Sequence, residues 1–142
     1  MFLTKECDYG IRIIRALADG TKKTVEAIAD EQHIPQKYAY KIIKKLDLAG
    51  YVQSVRGRGG GYLLLKPLAS FNLADVLTTI DAKRYINECL QKDSTCPFKT
   101  NPDKPCTVHN ELVRLQEMVV SELKMLTLDV ALRVEDELYA SR

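Results

Sequence analysis

The chain has 142 residues, 46% hydrophobic and 28% charged, which is the composition of a globular domain, and no apolar run reaches the roughly 18 residues of a membrane span. The first ten residues lack the apolar segment of a secretory signal, so we expect a cytoplasmic protein with reduced thiols. The net charge is +2, but the charges are unevenly distributed: residues 1–66 have 12 Lys/Arg and seven Asp/Glu, and residues 67–142 have nine Lys/Arg and twelve Asp/Glu. The basic first half favours a polyanionic partner such as DNA, with a merely solvated basic surface as the alternative.

The first half of the chain has the pattern of a helix-turn-helix unit. Apolar residues at helical spacing predict a helix over 5–19. Thr24 is the expected N-cap of a short helix over 25–32. After a tight turn, Pro35 begins a third helix that is expected to end near Ala49, since proline is best tolerated in the first turn. The apolar stripe of this third helix is predicted to be Tyr38, Ile42, Ile43 and Leu46.

A glycine-rich hairpin follows the third helix. Residues 51–55 and 62–65 have β-type patterns, and the turn RGRGGG lies between them at 56–61. Helix, turn, helix and hairpin are the order of a winged helix-turn-helix domain. A nucleotide-binding glycine loop is an alternative, but a helix would follow such a loop, and here a strand follows. The predicted fold is therefore mostly α with a small β-hairpin wing.

The second half of the chain contains a long loop and a long helix. Asn72 is expected to cap a helix that ends near Asp81. Residues 82–107 contain three prolines and lack periodicity, and a loop of this length is usually functional or disordered. Over 108–126 apolar residues return at helical spacing, on more turns than a small winged domain can cover. We expect this helix to form a homodimer, with packing inside its own subunit as the alternative.

These elements predict three parts. They are a winged helix-turn-helix domain over 1–81, a loop over 82–107, and a dimerisation helix with a C-terminal tail over 108–142. A last short helix is expected over 128–138. Its apolar residues are expected to dock on the partner subunit, and they are Leu128, Val130 and Leu132.

The third helix is expected to lie in the major groove of duplex DNA, with its N-terminal turns at the base edges. Glutamine can pair with adenine there, and lysine with guanine or phosphate. Lys44 and Lys45 are expected to contact phosphate. The glycines at 57 and 59–61 are expected to take positive φ and let the backbone approach a phosphate, while the wing arginines reach the minor groove or its phosphates. A plain hairpin with incidental arginines is the alternative. The predicted DNA-binding residues are Gln36, Lys37, Tyr38, Tyr40, Lys41, Lys44, Arg56, Arg58 and Gly60.

Cys89, Cys96, Cys106 and His109 have the spacing C-x6-C-x9-C-x2-H within and just after the long loop. Reduced, clustered cysteines more often bind metal than form disulfides. Thiolates are ligands of both iron–sulfur clusters and zinc, and a Cys₃His zinc site would hold the loop closed without sensing. Idle thiols are a further alternative. No C-x-x-C pair is present, so a thiol enzyme acting through Cys106 is disfavoured and no enzyme activity is expected.

Three segments of the chain together resemble one family. They are LTKECDYGIR near the N-terminus, YAYKIIKKLDLAGYVQSVRGRGGGYLL in the middle, and the C-x2-H at 106–109. They resemble the bacterial winged-helix iron–sulfur regulators, a family that includes regulators of iron–sulfur assembly and nitric-oxide-sensing repressors. The resemblance covers nearly the whole chain. It implies a homodimer that binds a palindromic operator, with DNA contacts that fall on Lys37, Tyr38, Tyr40, Lys41 and Arg56.

The resemblance also implies an iron–sulfur cluster, of the 2Fe–2S type rather than the 4Fe–4S type, with Cys89, Cys96 and Cys106 as ligands. Both cysteine intervals are longer than is usual for the family. The fourth ligand has two candidates: His109, as in the assembly regulators, or Asp8 of the other subunit, as in nitric-oxide-sensing members.

The expected function is therefore a homodimeric transcriptional regulator that senses iron–sulfur status, redox state or nitric oxide. A zinc-binding or cluster-free regulator of the same fold, which senses through thiols or a protein partner, is the alternative.

Overall fold

The computed structural model of the chain describes residues 3–82, 85–99, 101 and 103–133. Residues 128–133 are helical, as expected, and the rest of the predicted last helix lies outside the described residues. The order of elements is that of the predicted winged helix-turn-helix fold with a C-terminal helix. These elements are α1 (Lys5–Ala16), α2 (Val25–Glu31), α3 (Gln36–Leu48), β1 (Val52–Val55), β2 (Gly61–Leu64), α4 (Leu73–Ile80) and α5 (Thr107–Met125), with 3-10 turns at Leu68–Ser70 and Glu88–Leu90.

Polar side chains cap the helices at their N-termini. The hydroxyl of Thr24 accepts a hydrogen bond from the backbone N–H of Ala27 at 3.2 Å, and Asn72 Oδ1 accepts one from Asp75 at 2.9 Å, as the sequence predicted. Within the described residues, no side chain caps α3. Its N-cap is Pro35, whose own nitrogen carries no proton that needs a partner.

Helices α1, α3 and α4 surround a core of fully buried aliphatic side chains. Gly10 lets α1 approach α4 closely, because a methyl group there would lie 1.9 Å from Ile80 Cδ1 and the buried Ile80 side chain would have to shift. Along α3 the buried residues follow the spacing of one helical face. The largest fully buried side chains are Ile13, Ile14, Leu17, Ile28, Ile42, Ile43, Leu46, Leu77, Ile80 and Leu128.

The predicted apolar stripe of α3 is wrong at one position. Tyr38 is 43% exposed, and the buried position on this face belongs to Ala39, which is fully buried. The ring of Tyr38 lies beside Tyr9 of α1, with 5.8 Å between ring centroids. A tyrosine is partly apolar at any helix position, so its face cannot be assigned from residue type alone.

The wing is anchored at its base to the segment between α1 and α2. Strands β1 and β2 are antiparallel, with Val52 opposite Leu64. Tyr62 of β2 also forms two backbone hydrogen bonds with Lys23, of 3.0 and 2.7 Å. Gly61 is required at this crossing, because it has φ 153° and a Cβ there would lie 2.6 Å from the Lys23 oxygen. The hairpin therefore has a fixed position relative to α3.

After α5 the chain returns to its own domain. The backbone N–H of Leu73 donates to the Leu126 oxygen at 2.8 Å, and that of Leu128 donates to the Phe71 oxygen at 2.9 Å. The side chain of Leu128 is fully buried in the core of its own subunit. The expectation that Leu128 docks on a partner subunit is therefore wrong. Val130, in the next turn, is 47% exposed.

Helix α5 has two distinct apolar faces. No residue of α5, a helix that the structure describes in full, is buried. Its half-buried residues include His109, Leu112 and Leu123, and Leu123 packs against the core, so this face covers α4. A second set of apolar side chains points elsewhere and is exposed, namely Val108, Leu115, Met118, Val119 and Met125. No helix within the described part of the chain is long and apolar enough to cross a bilayer.

Candidate nucleic-acid interface and thiol loop

Helix α3 turns its polar side chains outward. Because its apolar side packs on α1 and α4, the remaining side chains face solvent along most of its length. Their exposure is what a helix needs in order to enter the major groove. The exposed residues include all six that the sequence predicted for this helix: Gln36, Lys37, Tyr38, Tyr40, Lys41 and Lys44.

One acidic group of the same domain, Glu6, engages two lysines of α3. Lys41 Nζ donates to Glu6 Oε1 of α1 at 2.6 Å, and this hydrogen bond lowers the pKa of Glu6 and raises that of Lys41. Lys45 Nζ lies 3.5 Å from Glu6 Oε2 and donates to the Ile80 oxygen at 2.5 Å. Lys45, expected to contact phosphate, thus binds the C-terminal end of α4, where a cation is favourable.

A second acidic group meets α3 from the neighbouring helix. The hydroxyl of Tyr40 donates a hydrogen bond to Glu26 Oε1, in the first turn of α2. The bond lowers the pKa of Glu26 and raises the pKa of Tyr40. Sequence reasoning missed both Glu6 and Glu26, because each contact joins two helices and no local spacing reveals it.

The wing tip exposes both of its arginines, Arg56 and Arg58. Gly57 and Gly59 take positive φ, of 99° and 69°, as expected. The expectation is wrong for Gly60, which does not have positive φ. Its N–H closes the turn by donating to the Gly57 oxygen at 3.0 Å, and a Cβ on Gly60 would lie 2.6 Å from the Val55 oxygen. A glycine is thus needed at this position for space rather than for its φ angle.

The three loop cysteines are half-buried, and none of the four cysteines, all within the described residues, is in a disulfide. Cys89 and Cys96 line one open cleft of about 610 Å³. Cys106 is the N-cap of α5, where its Sγ accepts a hydrogen bond from the backbone N–H of His109 at 3.4 Å. The Cys106 sulfur, at the end of the loop, is therefore hydrogen-bonded to the first turn of α5.

The imidazole of His109 fits a metal ligand. Its Nδ1 atom is buried and has no hydrogen-bond partner among the described residues. A buried polar atom in this state is uncommon and calls for a partner such as an ion. One histidine and three thiols are also the right donor types for an iron–sulfur cluster or zinc. In the described part of the chain, however, no three His, Cys, Asp or Glu side chains converge on one point.

Asp8, the other candidate for the fourth ligand, has a different environment. It is exposed on α1, and its carboxylate pairs with the guanidinium of Arg12 at 3.0 Å. Arg12 also donates to the backbone oxygen of Gln32 at 3.3 Å. Metal binding by Asp8 would compete with this ion pair, whereas His109 Nδ1 has no competing contact among the described residues.

The chain has a helix-turn-helix with an exposed third helix, an anchored wing, and a cysteine loop before a long helix. Together these features define a winged-helix transcriptional regulator. The model of the Rrf2 family, described as iron-dependent transcriptional regulators, matches residues 3–133. The chain belongs to the Rrf2 family. The match places it in a DNA-binding family of regulators rather than among enzymes.

Solved structures of regulators have the same fold. IscR from T. potens is 20% identical with a TM-score of 0.72, covering 97% of this chain and 90% of that one. CymR, the global cysteine regulator of B. subtilis, is 20% identical with a TM-score of 0.73, covering 94% and 98%. The oxidised form of CymR from Staphylococcus aureus is 21% identical with a TM-score of 0.71, covering 93% and 96%. At these identities the similarity shows the fold.

Proposed function

We propose that the chain is a homodimeric regulator that binds a palindromic operator through α3 and the wing, and that an iron–sulfur cluster in the cysteine loop controls this binding. The signal is iron–sulfur status, redox state or nitric oxide, and the protein acts on double-stranded DNA in the cytoplasm. The observation that carries the sensing role is the buried, unpartnered Nδ1 atom of His109, one turn from Cys106.

DNA binding is supported by the surface that α3 and the wing form together. Lys37 and Lys44 are exposed on α3, and Arg56 and Arg58 are exposed at the wing tip. Cations on two separate elements can neutralise phosphates while α3 contacts base edges. Lys41 belongs to the same surface, but it must leave Glu6 before it binds a phosphate or a base. Glu6 therefore weakens the contribution of Lys41 to DNA binding.

Dimerisation is supported by the exposed apolar side of α5. A stripe of five large apolar side chains on a 19-residue helix is unusual for a surface that meets only water. Two copies of α5 packed against each other would bury this stripe. A two-fold dimer would then present two α3 helices to the two half-sites of a palindrome.

Sensing is supported by the position of the thiols. Cys89, Cys96 and Cys106 would hold the cluster with His109, and Asp8 of the partner subunit is the alternative fourth ligand. The cluster, when bound, supplies a centre that oxidants and nitric oxide attack. Cys106 caps α5, so a change in the bonding of its sulfur alters the cap of the helix that carries the exposed stripe. The loop is in this way linked to the dimer surface.

A zinc-binding or cluster-free regulator is the second candidate. Cys89 and Cys96 line the same cleft, and among the described residues they belong to no group of three metal-ligating side chains. Two structures of the same fold are CymR of B. subtilis, a global cysteine regulator, and an oxidised form of CymR from Staphylococcus aureus. Two thiols in one cleft are consistent with a switch that needs no metal.

Protein purified without oxygen is expected to be brown and to contain iron and acid-labile sulfide in equal amounts, as in a cluster of the 2Fe–2S type. Cys106→Ser should lose both, because serine is a poor ligand for a cluster. Cys7→Ala is the control, since Cys7 is buried in α1 and should not affect the iron content. Colourless protein with one zinc per chain would support the zinc site. Colourless, metal-free protein that binds DNA would support thiol sensing.

A further inference from the structure

One hydrogen bond links the two helices of the helix-turn-helix at the surface predicted to face DNA. Tyr40 is 49% exposed in the second turn of α3, and its hydroxyl donates to the carboxylate of Glu26, in the first turn of α2. Glu26 is also exposed. Neither group is needed for the core, because both side chains lie outside it. The pair therefore has a different role from the buried contacts that hold α2 on α3.

We propose that Glu26 sets the base preference of Tyr40. The Tyr40 hydroxyl donates its one hydrogen bond to Glu26, so towards DNA the Tyr40 oxygen can only accept hydrogen bonds. Tyr40 then selects an amino-bearing base, adenine or cytosine, over a keto-bearing base, guanine or thymine, on the strand that it faces. This inference rests on the proposed function, in which α3 reads the major groove.

The selection follows from the donors and acceptors available. A tyrosine hydroxyl has one proton to donate, and an ionised carboxylate can only accept. In the major groove, adenine N6 and cytosine N4 are donors, whereas guanine N7 and O6 and thymine O4 are acceptors. If Tyr40 already donates its proton to Glu26, its oxygen would face a keto oxygen of the base with no proton between the two oxygens. Such an unpaired contact, once desolvated, is unfavourable.

The charges around the pair support this direction of the hydrogen bond. The bond lowers the pKa of Glu26 and raises the pKa of Tyr40, so at neutral pH the proton stays on the phenol and the charge on the carboxylate. The charged side chains in the first two turns of α3 are Lys37 and Lys41, and both are exposed. Tyr40 with Glu26 is therefore an acceptor-only position beside two side chains, Lys37 and Lys41, that can only donate.

The test is selection of binding sites from a random library of duplex DNA, followed by sequencing and by affinity measurements on the selected site. The variants are Glu26→Gln, which removes the obligate acceptor, and Tyr40→Phe, which removes the hydroxyl. Glu31→Gln is the matched control, because it removes the same charge from the same helix but Glu31 pairs with Lys23 at 2.8 Å. All three positions are exposed, so the melting temperature should be unchanged.

We expect the unaltered protein to prefer adenine or cytosine by about tenfold at one position of each half-site, within the range of a specific base contact. Glu26→Gln and Tyr40→Phe should each reduce this preference to about twofold and leave the other positions as they were. Glu31→Gln should keep it. Unchanged preferences in Glu26→Gln, or a change of affinity that is equal for all sequences, would overturn the role of Glu26. If the unaltered protein enriches no sequence, the proposed function itself fails.

Discussion

Leu128→Ala is expected to lower the free energy of unfolding by about 2–5 kcal/mol, the range for removing a buried leucine side chain and leaving a cavity. Leu128 follows α5 in sequence but is fully buried in the core, and its backbone N–H donates to Phe71, just before α4. The substitution therefore removes apolar contacts from the domain itself rather than from a surface. Urea unfolding at fixed protein concentration, followed by circular dichroism, measures the change.

The control for this substitution is Val130→Ala, two residues further along the same helical segment. Val130 is 47% exposed, so the change in unfolding free energy should stay within about 0.5 kcal/mol. If Leu128→Ala is as stable as the unaltered protein, the C-terminal segment does not pack on its own domain as described. A loss of dimer without a loss of stability would return Leu128 to the partner interface.

The double substitution Leu115→Glu and Val119→Glu is expected to convert the proposed dimer to a monomer. Both side chains belong to the exposed apolar stripe of α5, and two buried carboxylates per subunit would face each other across the interface. The domain should stay folded, because no residue of α5, a fully described helix, is buried. A monomer holds only one half-site at a time, so affinity for the selected operator should fall by about 100-fold or more.

Light scattering gives the oligomeric state, and fluorescence anisotropy with a labelled operator gives the affinity. The matched control is Asn110→Glu with Ser121→Glu, which also adds two carboxylates to α5. Both of these positions are exposed, and at about 100° per residue they lie on the other side of the helix from Leu115 and Val119. Dimers that persist in the first variant, or that are lost equally in the control, would show that this stripe is not the interface.

Local signals in the sequence predicted most of the fold. Thr24 and Asn72 cap helices as expected, because a capping side chain needs only backbone groups two or three residues away. The glycine-rich turn predicted the wing for the same reason, since its backbone requirements are local. Periodicity also located α5 to within one residue at each end.

The remaining features depend on contacts between distant parts of the chain. The ion pair of Lys41 with Glu6 joins residues 35 positions apart, and no spacing rule reaches that far. Lys45 has the positive charge that is expected of a phosphate contact. Its hydrogen bond to the C-terminal end of α4 is revealed only by the way α4 packs against α3. Leu128 shows the same limit, because an apolar residue after a helix does not indicate which subunit will bury it.

The candidate metal site also has some features that the sequence predicts and others that depend on contacts between distant residues. The types and order of its donors can be taken from the sequence, and the structure adds that His109 Nδ1 is buried and that Cys106 caps α5. The proposed convergence of the three thiols on one cluster would depend on long-range packing around that group, which neither spacing nor propensity describes.

The proposed control of DNA binding by an iron–sulfur cluster is tested most directly by the operator affinity of one anaerobic preparation, measured before and after treatment with an iron chelator. If the cysteine loop is coupled to the two α3 helices, the affinity should change by roughly 5–150-fold, the usual range for coupling between two sites. The same affinity with and without the metal would contradict a sensing role, and would leave a regulator whose DNA binding does not depend on its cysteines.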